Sequence, residues 1–164
     1  LEDDLQSNVY TLDTRSLTVT PVTNDGASYN PQWSSDGMQL SYISYFDDTI
    51  TTSIYGVTVG RTTTILQDTG GYPLWVQNNQ GLLFSTNEFG RTTFFTLDVD
   101  HDVQIELFRG RFLGAYDVSQ DQTSFAYIKP FNDHSLLCVY HLTDASESCA
   151  ASPAFSSTQP QWSN

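Results

Sequence analysis

Lysine is almost missing from this sequence. Lys129 stands alone among 164 residues, and five arginines bring the bases to only six against nineteen acids, a net charge of −13. Phosphate binding draws on Lys and Arg, so a nucleic-acid partner is excluded, and an anionic membrane surface is disfavoured for the same reason. Long apolar runs are also missing. None comes near the ~18 residues that suggest a spanning helix, so membrane insertion is not expected. No segment carries a helical period, and no long Ala/Glu/Leu/Lys-rich stretch occurs. Catalytic signatures are absent too: no Gly-x-Ser-x-Gly elbow, no His-Glu-x-x-His, no phosphate-binding glycine loop and no Cys-x-x-Cys. The expectation is a chain with no catalytic residues and no cofactor. Residue 1 is Leu and no basic-then-apolar leader follows it, so the sequence is expected to start after processing or at an imposed boundary.

What is abundant is apolar and turn-forming material, arranged periodically. Hydrophobic residues make up 38% of the chain and ten glycines are present, close to the globular norm and enough to exclude disorder. The segment Pro31-Gln32-Trp33-Ser34-Ser35-Asp36-Gly37-Met38-Gln39-Leu40-Ser41-Tyr42 recurs as Pro73-Leu74-Trp75-Val76-Gln77-Asn78-Asn79-Gln80-Gly81-Leu82-Leu83-Phe84. An eroded copy spans Tyr116 to Tyr127, and Pro160-Gln161-Trp162-Ser163-Asn164 opens another. The anchors Trp33, Trp75, Val118 and Trp162 are 42, 43 and 44 residues apart. A second motif keeps the same period: Val9-Tyr10-Thr11-Leu12, Ile54-Tyr55-Gly56-Val57, Phe94-Phe95-Thr96-Leu97 and Val139-Tyr140-His141-Leu142.

Each unit reads as four short strands rich in Thr, Tyr, Phe, Val and Ile, set off by turns such as Asp36-Gly37. In the first complete unit they fall near Pro31–Ser34, Gln39–Ser44, Ser53–Val59 and Thr62–Gln67. A two-residue Asp36-Gly37 turn places Trp33 opposite Leu40, and by repetition Trp75 opposite Leu82 and Val118 opposite Phe125. A three-residue loop with Gly in the left-handed conformation is the alternative. Four strands every ~40–45 residues is the period of a β-propeller blade. The expected fold class is all-β: a propeller of four-stranded antiparallel blades, most simply a segment of a larger ring. A half blade at 7–23 precedes blades at 31–67, 73–108 and 116–152, and the next begins at 160–164. The competing count is a near-four-bladed ring closed by this chain alone.

The Pro-x-Trp-Ser-x-Asp-Gly-x-x-Leu-x-Tyr pattern at residues 31–42 resembles the TolB-like, WD-repeat-like propeller family. The match is fair at 73–84 and weak at 116–127. It lacks the family's proline after Trp-Ser, having Ser35, Gln77 and Gln120 there. The resemblance implies a periplasmic or secreted platform that binds partner proteins. The leading expectation is therefore a non-catalytic, extracytoplasmic scaffold for protein interaction or assembly, partnered by another protein or by further copies or segments of the same propeller. Two other functions stay open: the accessory propeller of a prolyl-oligopeptidase-type peptidase whose catalytic domain lies elsewhere, and a propeller that binds a small ligand or sugar.

Candidate sites are few. Cys138 and Cys149 flank a hairpin whose turn at Thr143-Asp144 opposes them directly, which suits a disulfide and an oxidising compartment, whereas two separate residues would be buried thiols. Asp98, Asp100 and Asp102 offer the alternating oxygens of a calcium loop, but Val103 stands where glycine is needed and Arg109 where a bidentate acid is needed. The bland reading of the three is an acidic turn. His101, His134 and His141 sit in or near outer hairpins and read as surface or structural residues. Partner-binding candidates come from loops expected to share one face: Phe46, Phe89 and Phe131 between second and third strands, and Arg109, Arg111 and Phe112 between blades. The competing reading packs these rings between blades. Trp33, Trp75, Trp162 and the Tyr10, Tyr55, Phe95 and Tyr140 series are expected in the core, and the Thr runs at 49–52 and 62–64 on solvent faces.

Overall fold

Alternating β-branched and aromatic residues between tight turns leave the backbone little choice but paired strands. The computed structural model describes residues 6–67, 72–132, 134–152 and 160–162. Its elements are all strands: β1 (Tyr10–Asp13), β2 (Thr18–Pro21), β3 (Ser28–Trp33), β4 (Gln39–Phe46), β5 (Thr49–Gly56), β6 (Arg61–Gln67), β7 (Leu74–Val76), β8 (Gly81–Glu88), β9 (Arg91–Asp98), β10 (Val103–Gly110), β11 (Leu113–Val118), β12 (Ser124–Phe131), β13 (His134–His141) and β14 (Ser146–Ser152). β1 and β2 pair only with each other among the described residues. The rest form three antiparallel four-stranded sheets in chain order, β3 to β6, β7 to β10 and β11 to β14. The chain divides into two compact units, residues 1–72 and 73–164.

The three register expectations hold: Trp33 pairs with Leu40, Trp75 with Leu82 and Val118 with Phe125. The turn that sets them is neither of the two forms expected. Ser34 and Gln39 close a four-residue loop in which the Gly37 N–H bonds the Ser34 carbonyl at 2.9 Å and Gly37 takes φ +68°. The Gln39 N–H donates to the Ser34 hydroxyl at 2.9 Å, and Asp36 accepts from that hydroxyl at 2.7 Å and from the Met38 N–H at 2.9 Å. Ser119, Asp121, Gln122 and Ser124 repeat this arrangement, with Gln122 at φ +58°. Valine replaces the serine at position 76, and there Gln77, Asn78 and Asn79 all adopt positive φ.

Asp121 is the hinge of its loop, and its carboxyl sits below the usual carboxylate range because the Ser119 hydroxyl and the Thr123 N–H and hydroxyl donate to it. A depressed carboxylate contributes stability that is present above its unfolded pKa and lost as pH falls through the folded one. Asp121→Ala should therefore lower the urea midpoint at pH 7. The gap to the parent should close as pH falls through the folded-state value, below the ordinary aspartate range. A gap that persists in acid would assign the loss to packing instead.

The third strand of the first blade starts earlier than expected, at Thr49 rather than Ser53. Asp47 and Asp48 make a two-residue turn with φ +48° and +62°, and residues 57–60 become the next turn. Thr62–Thr64 are exposed as expected, but Thr52 is buried and departs from the solvent-face expectation.

In the first unit, Val9, Leu40 and Tyr42 form a small core with Val22 and Tyr55 against it. The second unit holds the larger core, where Val76, Leu83, Phe94, Phe125, Tyr127, Cys138 and Tyr140 lie between two blades. Phe94 is its centre, with the rings of Phe108, Phe112, Tyr116, Phe125 and Tyr127 all 5.0–5.8 Å away. The first strands of these blades adjoin. The Gln77 N–H reaches the Gln122 carbonyl at 3.0 Å, and the Asn79 and Gln122 side chains bond each other. The outermost ladders of the first two blades each carry one extra residue, Ile65 between pairs Thr52–Leu66 and Ser53–Thr64, and Leu107 between pairs Phe95–Glu106 and Phe94–Phe108. The β13–β14 ladder is regular.

The anchor aromatics do not share one environment. Trp75 is buried at 5% exposure and Tyr140 at 7%, but Trp33 is 51% exposed, Tyr10 55% and Trp162 37%, so the core expectation fails for those three. Tyr10 lies on the two-stranded sheet, where no further strand among the described residues packs beside it. The Trp162 N–H and indole N–H donate to the Asp117 carboxylate and carbonyl at 2.9 and 3.0 Å. Ser163 and Asn164, the rest of the opening of the next blade, lie outside the described residues.

Candidate functional site: turn tips and arginines at one end of the second unit

The strongest candidate surface is built from the ends of neighbouring hairpins. In the second unit, β8 and β9 close through Phe89 (φ +50°) and Gly90 (φ +74°) between the pair Glu88–Arg91. Left-handed backbone at both positions is the hairpin geometry that matches strand twist. A phenylalanine there is unusual, since L side chains resist positive φ, and its ring is fully exposed. The β12–β13 hairpin is the equivalent one. Phe131 pairs with His134, their rings 5.4 Å apart edge to face, and Phe131 is 49% exposed. Asp133, also assigned to this loop by the sequence, lies outside the described residues. Phe46, in the first unit, pairs with Thr49 at the matching β4–β5 turn and is 69% exposed, while its neighbour Tyr45 donates to Asp48 at 2.7 Å. The repeat alignment, with Phe46 and Phe131 equivalent and Phe89 one residue later, thus matches the turn geometry.

The between-blade candidates separate. Arg109 and Arg111 are exposed. The Arg109 guanidinium lies 3.4 Å from the Glu88 carboxylate across the end of β9. Phe112 is half-buried, its ring 5.0 Å from Phe94, 5.1 Å from Tyr127 and 5.5 Å from Phe108, so it is a packing residue of the aromatic core rather than a surface contact. Sequence reasoning did not single out Arg91, which the β8–β9–β10 registers place beside Arg109 and Arg111. It also missed an open depression of about 420 Å³ in the first unit, lined by residues 11–15, Trp33 and Val57.

Asp98, Asp100 and Asp102 form the β9–β10 turn, and their carboxylates do not converge. Asp98 accepts the Asp100 and His101 N–H groups at 3.0 Å each and faces the His101 ring nitrogen at 3.0 Å. These bonds, with the His101 backbone first, hold its carboxyl below the ordinary range. Asp13 makes the same turn in β1–β2, bonding the Arg15 and Ser16 N–H groups. Among the described residues, the one group of three His, Cys, Asp or Glu side chains with ligand atoms within 4.8 Å is Cys138, Glu147 and Cys149. The two sulfurs of that group are already joined. Cys138 and Cys149 are directly paired in the β13–β14 ladder, Cα to Cα 4.1 Å, and form a disulfide. The Glu147 carboxylate beside it accepts from the Tyr127 hydroxyl and from Lys129 Nζ at 2.9 Å. Burial and that carboxylate push the Tyr127 phenol well above its usual range. His141 Nδ1 meets the Ser124 hydroxyl at 2.9 Å, but Ser124 is buried and the two residues are paired, so the bond is a cross-strand tie.

No protein family and no curated protein matches this sequence. Solved structures do match. TolB from Acinetobacter baumannii superposes with a TM-score of 0.71 at 14% identity, over 87% of this chain and 37% of that one. The β-propeller domain of the Trilobed protease from Pyrococcus furiosus gives 0.67 at 12% identity, over 88% and 48%. The acylaminoacyl peptidase of Pyrococcus horikoshii gives 0.67 at 15% identity, over 85% and 27%. The chain thus spans less than half the length of each of these three structures, which fits an incomplete segment of a ring. At such low identity what is shared is the fold, and that fold is the TolB-like β-propeller.

Proposed function

We propose that this chain is part of a non-catalytic, extracytoplasmic propeller that binds a protein partner through the blade ends bearing the β8–β9 and β12–β13 turns. The observation that carries this reading is the pair of exposed phenylalanines at neighbouring hairpin ends, Phe89 in the β8–β9 turn and Phe131 at the end of β12. Aromatic side chains offer a large contact area with few rotatable bonds, and aromatic and Arg residues dominate interface hot spots. The Cys138–Cys149 disulfide supports an oxidising compartment. Further segments of the same propeller are the simplest neighbours in the same polypeptide.

A photo-crosslinking residue placed at position 89, or at 131, in the natural full-length protein should give a discrete protein adduct in its native setting. The same residue at Asp100, in a turn at the other end of the blade, should give none. Equal adducts at both ends, or none at 89 and 131, would overturn the reading. The likeness to peptidase propellers favours one second reading, in which this segment belongs to a peptidase and its blade ends face a catalytic domain. An adduct within the same polypeptide, mapping to a hydrolase domain, would select it.

A further inference from the structure

In the second unit the two ends of the blades differ in charge. Asp98 ends β9, and Asp100, Asp102, Asp121 and Asp144 lie in the β9–β10, β11–β12 and β13–β14 turns. Those turns share one end, since the β7–β8 and β11–β12 loops bond each other through Gln77, Asn79 and Gln122. The opposite end holds Arg91, Arg109 and Arg111, three of the six bases in the entire chain. Register groups them. Arg91 pairs with Glu88 and Arg109 with Thr93, two residues from Arg91 on the same strand face. Arg111 follows one step beyond the last rung, Gly110–Thr92. Glu88 meets Arg109 at 3.4 Å. Among the described residues Arg91 and Arg111 have no ion pair, and both are exposed. Among the described residues one acid, Glu88, therefore stands beside three arginines in a chain whose net charge is −13. The fully exposed Phe89 ring projects from the turn between Glu88 and Arg91.

We infer that this end of the second unit docks an acidic protein segment, one that interleaves carboxylates with apolar side chains. The inference rests on the scaffold reading above and names its partner's chemistry. Guanidinium forks bind carboxylates in paired, planar hydrogen bonds. Phe89 needs an apolar neighbour, which a uniformly carboxylated polysaccharide does not supply. The Asp-rich turns at the far end would repel the same partner, so charge fixes which end is used.

The test uses the acetylated peptide Glu-Phe-Asp-Glu-Phe-Asp, its amide counterpart Gln-Phe-Asn-Gln-Phe-Asn and a carboxylated oligosaccharide, titrated into the natural full-length protein. Binding is followed by amide and guanidinium NMR shifts. The acidic peptide should move Phe89, Arg91 and Arg111 and bind at least about tenfold tighter than its amide counterpart, a ratio worth ~1.4 kcal/mol. Arg91→Glu/Arg111→Glu should abolish that preference, and Arg91→Gln/Arg111→Gln should weaken it. Equal binding of the two peptides, or shifts confined elsewhere, would overturn the inference. Preferential oligosaccharide binding insensitive to Phe89→Ser would replace it with a carbohydrate site. If the adduct at position 89 forms equally well with Arg91→Glu/Arg111→Glu, the scaffold reading survives and the acidic partner does not.

Discussion

Replacing Phe94 with alanine is expected to cost about 3–5 kcal/mol, the range for deleting a fully buried aromatic side chain. Phe94 is 2% exposed and touches rings from both blades of the second unit: Phe108 in its own, Tyr116, Phe125 and Tyr127 in the next, and Phe112 on the connection between them. Removing it leaves a void bounded by five rings anchored on several different strands, so collapse to fill it would need several strands to move together. Tilted and edge-to-face pairs add to the area term, and they would be lost at the same time. Urea unfolding reads the change directly, and Phe89→Ala is the internal control, expected within about 0.5 kcal/mol of the parent because its ring touches nothing. A loss for Phe94→Ala below about 1.5 kcal/mol would show that the cluster repacks and does not bind the blades together.

Breaking the disulfide is expected to cost about 3 kcal/mol. The cross-link closes a hairpin loop with a sequence separation of 11, and chain-entropy reasoning for loops of this size gives a figure near that value. Cys138 is fully buried while Cys149 is exposed, so the bond ties the outermost strand to a core strand. Cys138→Ala/Cys149→Ala should lower the unfolding midpoint accordingly. Amide exchange should rise first along β14, with β12 protected until global unfolding. Uniform acceleration across the whole unit would place the stabilisation elsewhere. The Tyr127–Glu147–Lys129 group still ties β14 to β12 when the sulfurs are gone, so the strand should loosen without detaching.

Much of this was legible from the order of residues. The pairs Trp33–Leu40 and Cys138–Cys149 follow from where a turn can sit between two apolar runs, because register depends only on the turn's centre. The turn's type was not legible. Ser34 and Ser119 use side-chain hydroxyls to close their ladders, and a serine hydroxyl leaves no periodic trace. The exposure of Trp33 against the burial of Trp75 was likewise hidden, since identical repeat positions differ only in what packs beside them. Phe46, Phe89 and Phe131 were found because turn tips are predictable. Arg91 was missed because its closeness to Arg109 and Arg111 depends on the β9–β10 pairing, and the bulge at Leu107 shifts that pairing by one residue.

That bulge and its counterpart at Ile65 also bear on what a sheet edge offers to a stray chain. A sheet's outermost strand offers a row of unpaired amides and carbonyls, a template onto which a stray chain can add and from which fibrils grow. An extra residue bends such an edge and spoils the template, and the first two blades each have one at matching places, 42 residues apart. The third blade has a straight outer ladder, low in charge over Ser148-Cys149-Ala150, with its covalent bond where the others have their kink. Once that bond is cut, β14 becomes the sticky edge of the described fold, and self-association would begin there.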